Sequence, residues 1–545
     1  MISIKRCITL ILILAVAPIL QAQDEPLAPL LEGMGDHRHQ ITTDDTLARK
    51  YFNQGLILHY GFNHAEAARS FREAQRLDPD CAMAYWGEAL TFGPNINAGM
   101  SEASVQVVWD AIQRAQELSG DISEKEKDYI DALASRYAEN PPADRSELDR
   151  DYVDAMRELA SKYPDDPDAQ ALFAEALMVT TPWNYWLDNG EPNSIAREVL
   201  STLETGLQNN PQHPGLNHFY IHLVEMEHPK WGVASADRLR GLVPGIGHLL
   251  HMPSHIYIHI GRYADGSEAN QKAVEADQRY LNQHGAHGMY RISYMPHNSH
   301  FLWFTTAMEG RGQKCLEAAN ITKDYIIEDL LYQPGYGSLY EHYALPYLAM
   351  VRFGMWDMIL DEPKPDDELL FPVAIWHYAR GLAYVRSNDL QSAQAELDAL
   401  KGMNNRETLQ AMGVWGVNTT GNVMQIAINV LNAEIWAAES NYADAIKLLR
   451  EAVRLEHSLG YHEPPAWYAP VRQTLGAILL EAGNAQEAEQ VYRRDLEEWP
   501  DNGWSLFGLY QALKEQGKDF EAQKVYDRFQ EAWSRADVEL TSSRL

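Results

Sequence analysis

The feature that most limits the fold of this chain is a helical phrase that recurs along nearly all of it. From about Thr43 onward, apolar residues follow the period of an α-helix, and the alternation typical of β-strands is almost absent. The phrase places an alanine or glycine three positions after its first residue, with further apolar positions at helical spacing. It occurs at residues 64–67, 263–266, 442–445, 485–488 and 519–522. Because one helical hairpin cannot bury its apolar face alone, the pattern predicts an all-α stack of hairpins.

The spacing of these phrases indicates the kind of repeat. Ala488 and Ala522 are 34 residues apart, which is the period of a tetratricopeptide repeat, and longer intervals elsewhere predict insertions. The chain is similar to the tetratricopeptide-repeat superfamily. Its phrases at 82–87, 251–255 and 295–298 also resemble a group of secreted bacterial repeat proteins. The resemblance implies an all-α solenoid of tetratricopeptide-type hairpins with insertions, and it carries no particular activity with it.

The first 22 residues have the pattern of a secretory signal. Lys5 and Arg6 precede an apolar run that ends near Leu20, and Ala22 offers a small residue for cleavage. The apolar run is short for a bilayer, and no later segment is long enough to span one. We therefore expect an exported protein, periplasmic or secreted, with no transmembrane span after signal cleavage.

The rest of the chain is predicted to have three parts. A polar lead-in covers residues 23–43, a divergent repeat block with a histidine-rich groove covers 44–360, and a more regular repeat block covers 368–545. The charged, proline-rich residues 361–366 indicate the break between the two blocks.

Charge and motifs exclude several partners and cofactors. The chain has 77 acidic and 45 basic residues and a formal charge of −32, which argues against nucleic acid as a partner. It has no Walker motif and no dinucleotide fingerprint, so no nucleotide or dinucleotide cofactor is expected.

Histidines are concentrated in one part of the chain. Of 20 histidines, 11 lie between residues 218 and 300. In one helix, His248, His251, His255 and His259 would lie on a single face, which the repeat register turns toward the concave groove. Pro253 lies among them and cannot donate a hydrogen bond to the carbonyl four residues back. The helix must therefore either begin near residue 249, leaving His248 in a loop, or kink.

Histidines three or four residues apart can present two nitrogens to one ion. Three such pairs form the predicted metal site: His218 and His222, His251 and His255, His297 and His300. Imidazole suits zinc, copper, iron or nickel, and we expect copper or zinc. Two metals with three histidines each would match the ligand pattern of oxygen-activating dinuclear copper centres. One such metal with an open position would suit hydrolysis.

Further residues extend these hypotheses. Glu225, three residues after His222, is either a carboxylate that bonds the outer nitrogen of a ligand imidazole or part of a solvated helix face. Aromatic residues in the loop at 181–186 are candidates for stacking on a substrate. The additional metal-site candidates are His248, His259, Glu225, His37 and His39. The weak substrate-binding candidates are Trp183, Tyr185 and Trp186.

Two functions remain open from the sequence. The first is a metal-dependent enzyme or a metal-handling protein built on the histidines, and the sequence does not decide whether it catalyses a reaction. The alternative is a non-catalytic scaffold of the cell envelope, in which the repeat surface binds a protein or peptide partner.

Overall fold

The structure is a computed structural model, and it describes residues 25–333, 335–414 and 417–545. The predicted signal segment, residues 1–22, lies outside the described residues. Residues 25–45 form a lead-in without helix, and the chain beyond them is almost entirely helical. No helix in the described part of the chain combines the length and apolar character needed to cross a membrane.

The helices up to residue 284 follow one another with short connections. In chain order they are α1 (Thr46–Tyr60), α2 (His64–Leu77), α3 (Ala82–Thr91), α4 (Val105–Glu117), α5 (Glu124–Ala134), α6 (Ser146–Lys162), α7 (Pro167–Thr180), α8 (Ser194–Asn209), α9 (Pro214–Val224), α10 (Val233–Leu239), α11 (Gly247–His251), α12 (Pro253–His259) and α13 (Tyr263–His284). Short 3-10 turns lie at Glu102–Ser104, Ser119–Asp121 and Pro229–Gly232.

The second part of the chain begins with a π-helical turn, Tyr290–Tyr294. It continues with α14 (Met295–Met308), α15 (Gly312–Asp324), α16 (Ser338–Arg352), α17 (Trp356–Asp361), α18 (Leu370–Arg386), α19 (Leu390–Asn404), α20 (Glu407–Ala411), α21 (Thr420–Ala438), α22 (Tyr442–His457), α23 (Val471–Glu481), α24 (Ala485–Glu498), α25 (Gly503–Glu515) and α26 (Asp519–Ala532). A 3-10 turn lies at Glu328–Tyr332, and two short antiparallel strands, β1 (Gly413–Val414) and β2 (Asn418–Thr419), pair with each other.

Glycine and aromatic residues fit consecutive helices together. The ring of Phe71 on α2 lies against Gly55 on α1 and Gly87 on α3, where an added Cβ would come within 2.8 and 2.3 Å of the ring. Tyr492 on α24 has the same relation to the glycines of its two neighbouring helices, α23 and α25. A bulky aromatic ring can fill the space between helices only where the facing residues have no side chain. The predicted all-α solenoid of tetratricopeptide-type hairpins is confirmed.

The apolar core has two main parts, and they meet beside the histidines. One cluster of buried apolar residues runs from Ala28 to Tyr257, and the other runs from Ile258 to Phe529. The second cluster continues across the charged segment at 361–366, with Ile359 before it and Phe371 after it. The boundary between the two clusters therefore lies within α12, and the division of the repeats at 361–366 stays a prediction.

The polypeptide kinks at the proline in the histidine stretch. Helix α11 ends at His251, Met252 stands between the two helices, and α12 begins at Pro253. The missing N–H of Pro253 interrupts the helical hydrogen bonds, as one of the two predicted alternatives requires. His248 consequently lies on a helix and close to the other histidines.

Candidate metal centre

Six histidines from four helices gather into two groups of three. Helix α9 carries His218 and His222 one turn apart, α11 carries His248 and His251, and α12 and α14 contribute one histidine each. Triad A is His218, His222 and His248. Triad B is His251, His255 and His297. Within each triad, one ring nitrogen per histidine lies within 4.8 Å of the others.

The nitrogen separations match the edges of a metal coordination sphere. In triad A, the Nε2 atoms of His218 and His248 are 3.2 Å apart. In triad B, His255 Nε2 lies 2.9 Å from His251 Nε2 and 3.5 Å from His297 Nε2. Two nitrogens bound about 2.0–2.1 Å from one zinc ion are about 2.9–3.4 Å apart at right-angled to tetrahedral geometry. Each triad is therefore spaced to bind one transition-metal ion.

The two triads are buried. Five of the six histidines are at most 5% exposed, and His297 is half-buried. They lie inside the protein, and not along an open groove as the repeat register had indicated. Burial lowers the pKa of His222 to about 3. Burial, and then repulsion by neighbouring imidazoles, lowers the pKa of His248 and His297 well below the usual range. Neutral imidazoles keep the nitrogen lone pairs that a metal needs.

The outer nitrogens of several histidines are already committed to hydrogen bonds. His218 Nδ1 donates to the backbone carbonyl of Tyr60 at 2.6 Å. His251 Nδ1 donates to Asn270 Oδ1 at 2.7 Å, and the amide nitrogen of Asn270 in turn donates to a backbone carbonyl. In the neutral rings of His218 and His251, the proton is therefore on Nδ1. Nε2 of each ring carries a lone pair that is directed into its triad.

For His222 and His255, the acceptor of the Nδ1 hydrogen bond is a carboxylate. His222 Nδ1 donates to Glu225 Oε1 at 3.2 Å, and His255 Nδ1 donates to Glu463 Oε2. The other oxygen of Glu463 accepts from His259 Nε2. Burial raises the pKa of Glu225. Burial also acts to raise the pKa of Glu463, but the electrostatic interactions and hydrogen bonds with His259 and His255 outweigh it and lower this pKa.

Apolar rings enclose both triads. The ring of Phe62 lies 4.6 Å from that of His218 and 5.3 Å from that of His248, centroid to centroid. The ring of Phe301 lies 4.5 Å from His255 and 5.0 Å from His297. Phe62 has a φ of +56° in the turn between α1 and α2, and Asn388 and Ser440 have a similar φ in the turns of later hairpins. Each ring covers one side of its group of nitrogens.

Two of the predicted histidines lie elsewhere. His300 belongs to neither triad, and its ring lies 5.3 Å from that of Trp303 and 5.5 Å from that of His342. His248, predicted only as an additional candidate, takes the third place in triad A. His259 contacts Glu463 and stacks on Trp499, so it stands behind triad B and not within it.

The histidines of the lead-in belong to a separate cluster around Asp168. Asp168 Oδ1 accepts from His37 Nε2 and His213 Nε2, each at 3.0 Å, and Oδ2 accepts from His39 Nδ1 at 2.7 Å. His213 Nδ1 also accepts from the backbone N–H of Leu216, so the ring proton must be on Nε2. A protonated nitrogen has no lone pair for a metal. His213 therefore acts as a hydrogen-bond donor, and Asp168 is a hydrogen-bond hub between the lead-in and the helices. The groups His37, Asp168 and His213, and His39, Asp166 and Asp168, also have a spacing that could hold a metal ion.

The aromatic loop at 181–186 contacts the site at one point. The ring of Trp183 meets that of His222 edge-on at 5.5 Å, and Trp183 has a φ of +61°. Tyr185 is buried, and Trp186 packs against His228 and Trp231. Of the three weak candidates, Trp183 is therefore the one that contacts a triad residue.

The residue that sequence reasoning missed is Glu463. It lies in the connection between α22 and α23, 208 residues from His255 along the chain. No local pattern marks it, because its partners are distant in sequence and only the folded solenoid brings them together. The adjacent proline and the interruption of helix after α22 were the only signals.

Comparison with known families identifies the repeat. The profile of the tetratricopeptide repeat matches residues 48–81, which cover most of α1, all of α2 and the turn that follows. The predicted resemblance to the tetratricopeptide-repeat superfamily is confirmed. No curated protein is significantly similar to the chain in sequence.

Several solved helical-repeat structures align with the chain at low identity. The human IFIT1 dimer with PPP-AAAA is 12% identical, covering 90% of this chain and 91% of that one, with a TM-score of 0.30. The tetratricopeptide domain of P58(IPK) is 10% identical, covering 86% and 98%, with a TM-score of 0.22. Yeast Tom70 is 14% identical, covering 90% and 93%, with a TM-score of 0.27. TM-scores of this size do not establish a common overall shape.

Proposed function

From a chain of tetratricopeptide-type hairpins that carries two buried histidine triads, we propose an exported transition-metal protein that binds one ion in each triad. The ligands are His218, His222 and His248 for one ion, and His251, His255 and His297 for the other. With three ligands per ion, each metal keeps a position for an exogenous ligand, which suits a metal-dependent enzyme or a metal-handling protein.

One observation supports this proposal above the others. The Nε2 atoms of His251 and His255 are 2.9 Å apart, while both Nδ1 atoms donate to acceptors. Two neutral rings in this state direct lone pairs at each other, and such an arrangement is repulsive unless a cation lies between them. A shared proton could fill that role for one pair of nitrogens. The third ring nitrogen in triad B, and the second group of three ring nitrogens in triad A, favour a metal ion.

The donor set indicates which metals fit. All six ligands are imidazoles, and the carboxylates lie behind them on the outer nitrogens, so copper and zinc fit better than magnesium or calcium. A bound ion of this kind polarises a substrate oxygen or acidifies a bound water. Triad B contains the half-buried His297, which makes it the more accessible of the two positions.

Metal analysis of the purified protein tests the proposal. We expect about two equivalents of copper or zinc per chain when the full-length protein is produced without a histidine tag and analysed by mass spectrometry for metals. Dialysis against a chelator, followed by reloading with either metal, should restore the same stoichiometry. A protein that takes up less than half an equivalent after reloading would contradict the assignment.

Export is part of the same proposal, and residues 1–22 are its support. The basic start, apolar run and small residue of that segment are those of a cleaved signal. In a bacterial host, we expect the intact mass to be that of a mature chain that begins at Gln23. We also expect to find the protein outside the cytoplasm. Replacing Leu12 with Arg within the apolar run should retain the uncleaved protein in the cell. An unprocessed N-terminus in the wild-type protein would exclude this route.

A further inference from the structure

We propose that Glu225 is a positioning residue shared by the two triads, so that the two metal ions bind as one coupled pair and not independently. The inference rests on the proposed function, and it adds that the two sites communicate through a named side chain.

The triads are close enough to form one centre. The ring of His248 in triad A lies 5.7 Å from that of His251 in triad B, and the rings of His222 and His255 are 5.9 Å apart. Within triad A, the rings of His222 and His248 are 6.3 Å apart. The distance between the triads is thus no larger than distances within one of them, and the six imidazoles form a continuous group.

Glu225 reaches both triads from behind. Its Oε1 accepts from His222 Nδ1 at 3.2 Å, and its Oε2, which accepts no hydrogen bond among the described residues, lies 3.3 Å from His255 Nδ1. The side chain is only 1% exposed, and the residue caps the C-terminus of α9, one turn after His222. A buried carboxylate held at a helix end has little freedom to serve one imidazole without affecting the other.

A carboxylate that bonds a ligand of one triad and lies against a ligand of the other couples the two triads. A ligand imidazole binds its metal through Nε2 only when Nδ1 is held correctly, and loss of such an outer partner typically costs about ten- to a hundredfold in metal affinity. The first ion fixes the ring of His222, and with it the carboxylate of Glu225. Glu225 Oε2 is then already fixed beside His255 Nδ1 when the second ion arrives, so the second ion meets a more ordered site.

The other carboxylate behind the ligands has a narrower role. Glu463 contacts His255 and His259, and neither of its oxygens is paired with a member of triad A in the described structure. The two glutamates therefore allow a direct comparison. Replacing Glu463 should affect triad B alone, whereas replacing Glu225 should affect both triads and the coupling between them.

The Glu225→Gln substitution can keep the contact with His222 while it changes the contact with His255. A carboxylate accepts hydrogen bonds on both oxygens, whereas an amide accepts on its oxygen and donates from its nitrogen. In the Glu225→Gln variant, the amide oxygen can still accept from His222 Nδ1. The amide N–H groups would then face the proton on His255 Nδ1, so one side chain of the same size can no longer hold both imidazoles.

Titration of the metal-free, full-length protein with Co²⁺, followed by its visible absorption, tests the inference. In the wild type we expect two ions, with the second binding more tightly than the first. Glu225→Gln should lower the affinity for both ions by about ten- to a hundredfold and abolish the coupling. Glu463→Gln should weaken one ion only. Glu309→Gln, a buried glutamate that accepts a hydrogen bond from Ser267 and belongs to neither triad, should match the wild type.

A second measurement does not depend on the stability of the Glu225 variant. His218→Ala removes a ligand of triad A that is not hydrogen-bonded to Glu225 or to triad B among the described residues. If the sites are coupled, the affinity of Co²⁺ for triad B in this variant is several-fold lower than the affinity of the second Co²⁺ ion in the wild type. Equal affinities, or two identical and independent ions in the wild type, would overturn the coupling and leave the metal site intact. A wild type that binds no Co²⁺ would overturn both.

Discussion

Replacing both His251 and His255 with alanine is expected to remove one of the two metal ions from each chain. The change deletes two of the three ligands of triad B and leaves His297 alone, and a single imidazole does not hold a transition-metal ion against a competing chelator. Triad A keeps its three ligands, and the Nδ1 hydrogen bond of His218 to Tyr60 is unaffected. Metal content measured after dialysis should therefore fall from about two equivalents to about one.

The histidine-rich stretch itself supplies the control. His284 and His287 lie in the same stretch of sequence but belong to neither triad, and His287 is exposed. The His284→Ala and His287→Ala double variant should keep both ions. Circular dichroism at 222 nm should show that all variants retain the wild-type helix content. Equal metal content in the wild type and in the His251→Ala and His255→Ala variant would eliminate triad B.

The reciprocal variant separates the two positions. Replacing His218 and His222 with alanine should leave the ion of triad B, which includes the more accessible His297. Its absorption spectrum with Co²⁺ should then differ from that of the ion left in triad A. Loss of both ions in either double variant would show that neither triad holds a metal without the other, which is the strongest form of the coupling proposed through Glu225.

The helical architecture could be predicted because its signals are local. Apolar residues at helical spacing and small residues opposite aromatic ones, such as Gly55 and Gly87 against Phe71, are properties of neighbouring repeats. The same local reasoning limited the helix near Pro253 to two alternatives, a start near residue 249 or a kink, since a missing N–H acts on its own helix. Fold class follows from such patterns because each hairpin of a solenoid contacts mainly the next one.

The membership of the site could be predicted only in part. Histidines one turn apart, such as His218 and His222, were found as a pair because a helix fixes their relation. The choice between His248 and His300 was not decided by spacing, because it depends on how α11 and α14 are rotated about their axes. Glu463 could not be predicted from the sequence for a different reason. Its partner His255 is 208 residues away, and only tertiary contacts bring the two together.

The expected open groove also differs from the buried site, and the reason is physical. The repeat register identifies which face of a hairpin points inward along the solenoid. It does not show what covers that face. Here the connection after α22 brings Glu463 onto triad B, while Phe62 covers triad A. The long connection after α22 fits the insertions that the irregular spacing predicts, whereas Phe62 belongs to the short turn between α1 and α2.

Replacing Asp168 with alanine is expected to cost about 3–5 kcal/mol of folding free energy at pH 7, as removal of one partner from a buried charge cluster does. The carboxylate is 4% exposed and accepts hydrogen bonds from Tyr60 and three histidines. Burial alone would raise its pKa, but the charges of His37 and His39 outweigh burial and hold this pKa well below its usual range. Without Asp168, the hydroxyl of Tyr60 and two buried imidazoles lose their acceptor.

The pH dependence of this loss has a defined sign. A carboxyl whose pKa is lowered by folding stabilises the protein above its unfolded pKa of about 3.9, and this stabilisation is lost as the pH falls toward the folded value. The difference between wild type and Asp168→Ala in urea unfolding should therefore be largest near neutral pH and shrink below about pH 4. Asp165→Ala, an exposed neighbour, should stay within about 0.5 kcal/mol of wild type. A loss below about 1 kcal/mol for Asp168→Ala would mean that the hub does not fasten the lead-in.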